Sequence, residues 1–244
     1  MNKAEFVFHG TPMSIVSPDI QMLQAGVSRF SSSQYVNAMR EIAPSPFRRI
    51  LDVGASIGYY TMIFHYVWPE AEIWSIEPSS VAFQYLMINT AHFPNVRHFN
   101  LAAGEGTYSH TMAMPTYEQK SYCNIAEGNL GIMSMFGESN INREEVHVVK
   151  LDDLIDWCDL IKVDVEGYEQ KVVEGASRLL KEARPVLHVE FVKQNRELSG
   201  MSGLELQKLI ESFGYKNVYD CNQDKVFWPK EKVNAIYSRT WLNA

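Results

Sequence analysis

The run Leu51-Asp52-Val53-Gly54-Ala55-Ser56-Ile57-Gly58-Tyr59-Tyr60-Thr61 constrains this chain more than any other. A short apolar strand enters an Asp-x-Gly-x-x-x-Gly turn and leaves it as a helix. Glycine tolerates the sharp backbone and the close approach that such a turn needs. The turn opens a longer alternation. Strands are predicted at 49–53, 72–76, 96–102, 160–163 and 186–191, with helices at 58–66, 79–89, 169–180 and 204–213 between and after them. Strands that alternate with helices require a mostly parallel sheet covered on both faces. The expected fold is therefore α/β, a doubly wound, Rossmann-like sheet with helices on both sides. Residues 215–219 and 226–228 read as a C-terminal antiparallel strand pair. In such folds ligands bind beyond the strand C-termini, where the strand order reverses.

Two segments fall outside that rhythm. Residues 1–47 read as an N-terminal helical extension. Its helix over 28–43 can be capped by Ser31, Ser32 or Ser33 and is stopped by Pro44 and Pro46. Residues 48–244 form the main domain, with an insert at about 104–150 that carries strands at 107–114 and 146–150 around a Gly-, Ser-, Asn- and Met-rich stretch.

Composition removes several functions. The formal net charge of −7 argues against a nucleic-acid partner. Cys123, Cys158 and Cys221 are widely spaced, with no C-x-x-C pair for structural zinc and no disulfide framework. There is no signal-peptide run and no transmembrane-length apolar stretch. The expectation is a cytoplasmic protein without an integral membrane segment. Nothing in the sequence sets its oligomeric state.

The glycine spacing is not the G-x-G-x-x-G of a nicotinamide dinucleotide site, which leaves an NAD-dependent oxidoreductase as the weaker reading. An acid, Asp52, precedes the turn instead. That suits a cationic ligand with an amino-acid tail, and S-adenosylmethionine is such a ligand. Main-chain amides of Gly54, Ala55, Ser56, Gly58 and Tyr59 would hold its carboxylate at the helix start. Asp52 would hold its ammonium, directly or through water. Glu77, 19 residues after Gly58 and followed by Pro78, would accept the ribose hydroxyls at the tip of the neighbouring strand. Ala102, at the third strand's tip, leaves room for adenine. The plainer alternative is that the glycines serve a tight turn and Glu77 caps the helix near Ser79.

A second run is more specific: Asp152-Asp153-Leu154, then Asp159-Leu-Ile-Lys-Val-Asp164-Val-Glu166-Gly167-Tyr168-Glu169, then Gly175-Ala176. With the Asp-Val-Gly-Ala-x-x-Gly-Tyr-Tyr-Thr turn and the strand ending Val189-Glu190-Phe191, it resembles the FkbM family of methyltransferases over roughly residues 50–191. Val173 departs from the Leu more usual there. The resemblance implies a class I fold, S-adenosylmethionine as methyl donor, and an O-methyltransferase acting on a hydroxyl of a small molecule or saccharide. N-methylation of an amine or protein side chain is the alternative.

Asp164, Glu166 and Glu190 are the catalytic candidates. Asp164 and Glu166 follow the fourth strand, Glu190 ends the next, and adjacent tips bring them together. They can act as general base and substrate clamp. They can also hold a divalent cation, though no metal is assigned at this point. A third possibility is that Asp164 and Glu166 only fix the strand-to-helix turn. His188, mid-strand, reads as a core histidine. Asp164 is also counted among the cofactor contacts.

Overall fold

The computed structural model describes residues 2–8, 11–17, 23, 46–113, 143–191, 202–221 and 224–233. Two strands, β1 (Asn2–Phe8) and β2 (Thr11–Ser17), form an antiparallel hairpin. The expected helical character of residues 1–47 is thus corrected over 2–17. The alternation of Ala4, Phe6 and Phe8 is a strand period, and Phe8, Met13 and Ile15 are buried. The helix expected at 28–43 lies outside the described residues.

The main domain begins with β3 (Arg49–Val53), α1 (Tyr59–Val67), β4 (Glu72–Ile76), α2 (Ser80–Thr90) and β5 (Val96–Phe99). The strand expected at 96–102 ends at Phe99, and β6 (Ala102–Ala103) instead joins the insert's β7 (Tyr108–Ala113) and β8 (Arg143–Val149) in a separate three-stranded sheet. Next come α3 (Leu151–Leu154), β9 (Leu160–Val163), α4 (Glu169–Glu174), α5 (Ser177–Glu182), β10 (Val186–Glu190), α6 (Gly203–Ser212), β11 (Tyr215–Cys221) and β12 (Asp224–Pro229). The central sheet runs β11-β12-β10-β9-β3-β4-β5. Its five strands from β10 to β5 are parallel, and β12 and β11 add antiparallel. The order reverses between β3 and β9, so the switch point lies at their C-terminal ends.

The boundaries follow local chemistry. Ser79 caps α2 by accepting from the Ala82 amide at 3.2 Å. Ser202 and Glu205 form a reciprocal capping box on α6. Gly214 follows α6 at φ 81, in the left-handed conformation that closes a helix. The single helix expected at 169–180 is two helices, α4 and α5, broken at Gly175. A side chain there would put its Cβ 1.8 Å from the Gly104 carbonyl oxygen, so the break lets the two backbones pack in contact.

Each face of the sheet carries its own core. Ile50, Ile73, Leu160, Val186 and Val226 pack with α1 and the hairpin. Leu51, Val53, Ile161, Val163, Leu187 and Val189 pack with α4, α5 and α6. Among the described residues no helix is long and apolar enough to cross a membrane.

Candidate active site

Strand alternation puts Asp52 on the α1 face with Ile50, and register aligns it with its neighbours. Asp52 pairs with Ser75 on β4 and with Lys162 on β9, and Lys162 pairs with His188 on β10. All four are buried, so a polar row crosses the sheet beneath its C-terminal edge. Thr61 on α1 closes the row, donating to the Asp52 carboxylate at 2.7 Å and lying 2.8 Å from the Ser75 hydroxyl. Lys162 Nζ stands 3.5 Å from Asp52 Oδ1, 3.2 Å from Asp164 Oδ2 and 4.3 Å from the Tyr60 ring centre. Burial opposes the charge on Lys162, but Asp164 and Asp52 outweigh it and hold the ammonium above the ordinary lysine range. Asp52 is fully buried and already engaged by Thr61 and Lys162. A ligand ammonium therefore does not meet an open carboxylate there.

The glycine turn is packed from inside. The Gly54 and Ala55 amides both donate to the Ile76 carbonyl, at 2.9 and 3.0 Å, and the Gly58 amide donates to Ala55. Gly54 has φ 79, and an added Cβ would lie 1.8 Å from the Asp164 carbonyl oxygen. What its missing side chain admits is the β9 loop. Gly58 has φ 97 and faces Leu86 and Thr90 of α2. The amides of Gly54, Ala55, Ser56 and Gly58 are thus spent within the protein. The first turn of α1 begins at Tyr59 without a side-chain cap, and its amides suit an anion.

Glu77 joins the turn to α2. One carboxylate oxygen accepts from the Ser56 amide at 2.8 Å and the other from the Ser79 amide at 2.9 Å. Burial pushes Glu77 up to about 7, against the pull of those two amides. Each oxygen keeps a second lone pair, which fits a pair of vicinal hydroxyls. Asn100 fixes the strand tip by donating to the Glu77 and Pro78 carbonyls, both at 2.9 Å. Ala102 is buried against Met112, Val146 and Val148, in the core of the insert's sheet.

The three acids do converge. Asp164, Glu166 and Glu190 each offer a carboxylate oxygen, and these atoms lie within 4.8 Å of one another. Asp164 follows β9, Glu190 ends β10, and the parallel register of Val163 with Val189 sets them side by side. Glu166 reaches the cluster from a left-handed position at φ 52, followed by Gly167 at φ 102. Glu169, itself buried, holds that loop by accepting from the Val165 and Gly167 amides at 3.3 and 3.0 Å. Burial, with Asp164 and Glu166 nearby, raises Glu190 well above the ordinary carboxylate range. His188 is buried, with Nε2 3.5 Å from Asp224 Oδ1 and its ring edge-on to Tyr60.

Sequence reasoning gave no role to Lys162, Glu169, Thr61 or Asn100. The signal for Lys162 was present: a lysine within an otherwise apolar four-residue strand must find an anion.

A family model described as the methyltransferase FkbM domain matches residues 52–216. The chain belongs to the FkbM methyltransferase family. S-adenosylmethionine is the methyl donor of FkbM methyltransferases. The match runs from Asp52 through the acid cluster to the start of β11. Methyltransferase sdnD of Sordaria araneosa is 26% identical over 222 residues, covering 80% of this chain and 82% of that protein. Among solved structures, methyltransferase FkbM from Methylobacillus flagellatus KT aligns at 19% identity and TM-score 0.49 over 86% of this chain. This FkbM chain spans 55% of that chain's length. A SAM-dependent methyltransferase from Aquifex aeolicus aligns at 12% identity and TM-score 0.47, covering 87% of this chain and 98% of that one.

Proposed function

We propose that the protein is an O-methyltransferase that acts on a hydroxyl of a small molecule or saccharide. The observation that carries this reading is the convergence of Asp164, Glu166 and Glu190 beside the glycine turn at the sheet's switch point. A neutral amine can attack a methyl group with its own lone pair, whereas a hydroxyl must also lose a proton. A cluster of carboxylates suits the second case.

In this reading the first turn of α1, from Tyr59, holds the carboxylate of the methyl donor, and Glu77 holds its ribose hydroxyls. Asp52 acts from behind, setting Lys162 and through it Asp164. When bound, S-adenosylmethionine supplies a methyl on a sulfonium, whose C–S bond breaks with its electron pair passing to sulfur as the acceptor oxygen bonds to carbon. Asp164 or Glu166 takes the hydroxyl proton, with Glu190 beside them in the same cluster.

Calorimetric titration with S-adenosylhomocysteine, with NADH as control, tests the cofactor half. Binding of NADH alone, by folded protein, would reject the reading. Labelled methyl transfer to a panel of hydroxylated metabolites, sugars and amines tests the acceptor half. Asp164→Asn should lower kcat about 10²–10⁴-fold, the scale of a lost general base. A labelled N-methyl product with no O-methyl product would move the assignment to amines.

A further inference from the structure

Glu190 is 5% exposed, and its buried Oε2 has no hydrogen-bond partner among the described residues. Glu190 also belongs to the group in which one carboxylate oxygen from each of Asp164, Glu166 and Glu190 lies within 4.8 Å of the others. The nearby ammonium of Lys162 is directed to Asp52 and Asp164. Asp224, opposite Glu190 in the antiparallel register with β12, is another acid. A buried carboxylate oxygen with no donor, surrounded by acids, carries the full cost of desolvation. An oxygen-seeking cation placed among the three would satisfy it.

We propose that Asp164, Glu166 and Glu190 form a divalent-cation site. The donor set is oxygen only, with no thiolate or imidazole in the group, which selects Mg²⁺ or Mn²⁺ over zinc or copper. Three carboxylates leave further positions on a six-coordinate ion, enough for water and for one acceptor hydroxyl. A hydroxyl bound there is acidified by the ion and gives up its proton to solvent or to a carboxylate. The backbone supports this geometry: Gly54 admits the Asp164 main chain, and Glu169 pins the loop that carries Glu166. The role of the ion in turnover rests on the methyl-transfer reading above; its binding does not.

The test is electron paramagnetic resonance of Mn²⁺ titrated into the full-length, chelator-treated protein, with and without S-adenosylhomocysteine. The expected result is one Mn²⁺ per chain, released by excess Mg²⁺. Glu190→Gln should weaken binding at least about tenfold, the scale of a lost carboxylate contact. Should that variant misfold, Glu166→Gln, at a half-buried loop position, serves the same purpose. No stoichiometric Mn²⁺ binding, or binding unchanged in these variants, overturns the site. Calorimetry with S-adenosylhomocysteine on the same sample separates the two readings. Homologue binding without Mn²⁺ binding removes the cation site and leaves methyl transfer standing. Mn²⁺ binding without homologue binding keeps the site and removes its part in methyl transfer.

Discussion

Lys162 on β9 and Asp52 on β3 face each other in register across the middle of the sheet, both buried, with Nζ and Oδ1 3.5 Å apart. The same ammonium reaches Asp164 at 3.2 Å, so one buried cation links the strand beneath the glycine turn to the acid cluster. Removing it leaves two carboxylates without their charge partner. Lys162→Met should cost about 3–5 kcal/mol in urea unfolding, as for other broken buried ion pairs. Adding Asp52→Asn should restore part of that loss, because the stranded charge is gone. Additive costs in the double variant would show that the pair is not coupled.

Gly54→Ala should be destabilising well beyond an ordinary glycine-to-alanine change. The new Cβ would meet the Asp164 carbonyl oxygen at 1.8 Å, on a backbone already at φ 79. Overpacking and left-handed strain together come to about 3 kcal/mol or more. Because backbone blocks backbone, β3 and β9 must separate at their tips, so S-adenosylhomocysteine binding should fall with stability. Unaltered urea and calorimetric curves would mean that the two loops can part without cost.

The parallel core was readable because its strands are short apolar runs between turn and capping residues. Glu72–Ile76 and Leu160–Val163 occur at the expected positions. The meeting of Asp164, Glu166 and Glu190 was readable too, since adjacent parallel strands place their tips together. Three things were not. The hairpin at 2–17 is of mixed polarity, and its alternation, with Lys3 and Glu5 exposed and Ala4 and Phe6 half-buried, is short. The break at Gly175 depends on Gly104, distant in sequence and in contact only once folded. The inward engagement of Asp52 depends on cross-strand register with Lys162, which no local pattern encodes.

Asn89 ties the hairpin to the glycine turn. Its side-chain amide donates to the Ile57 and Val16 carbonyls at 2.7 and 3.0 Å, and its oxygen accepts from the Val16 amide at 2.9 Å. Asn89→Ala should cost about 2 kcal/mol through buried groups left unpaired. Hydrogen exchange should quicken at the Val16 amide while the central strands keep their protection. Equal loss of protection in both would show that the hairpin has no separate mooring.

Glu77 should give the site a pH dependence of its own. Its folded-state value of about 7 lies above the ordinary 4.5, chiefly through burial and also through Asp52, with Lys162 and the Ser56 and Ser79 amides opposing. The folded state therefore holds this proton more tightly than the unfolded chain. The Glu77 contribution to stability is greatest in its protonated form, declines as pH rises from about 4.5 to about 7, and is level above that, a span of about 3 kcal/mol. Ligand binding should run the other way. In the proposed site ribose hydroxyls would donate to the ionised carboxylate, so affinity for S-adenosylhomocysteine should rise towards pH 7 and fall about tenfold per unit below it. Glu77→Gln cannot titrate and meets one of the two backbone amides with its own N–H. It should bind more weakly, by about 1–3 kcal/mol, with a profile flatter over this range. Calorimetry of both proteins across pH 5.5 to 8 checks the pair of curves. A wild-type profile that matches that of Glu77→Gln would place the titrating group elsewhere and remove Glu77 from the ribose site.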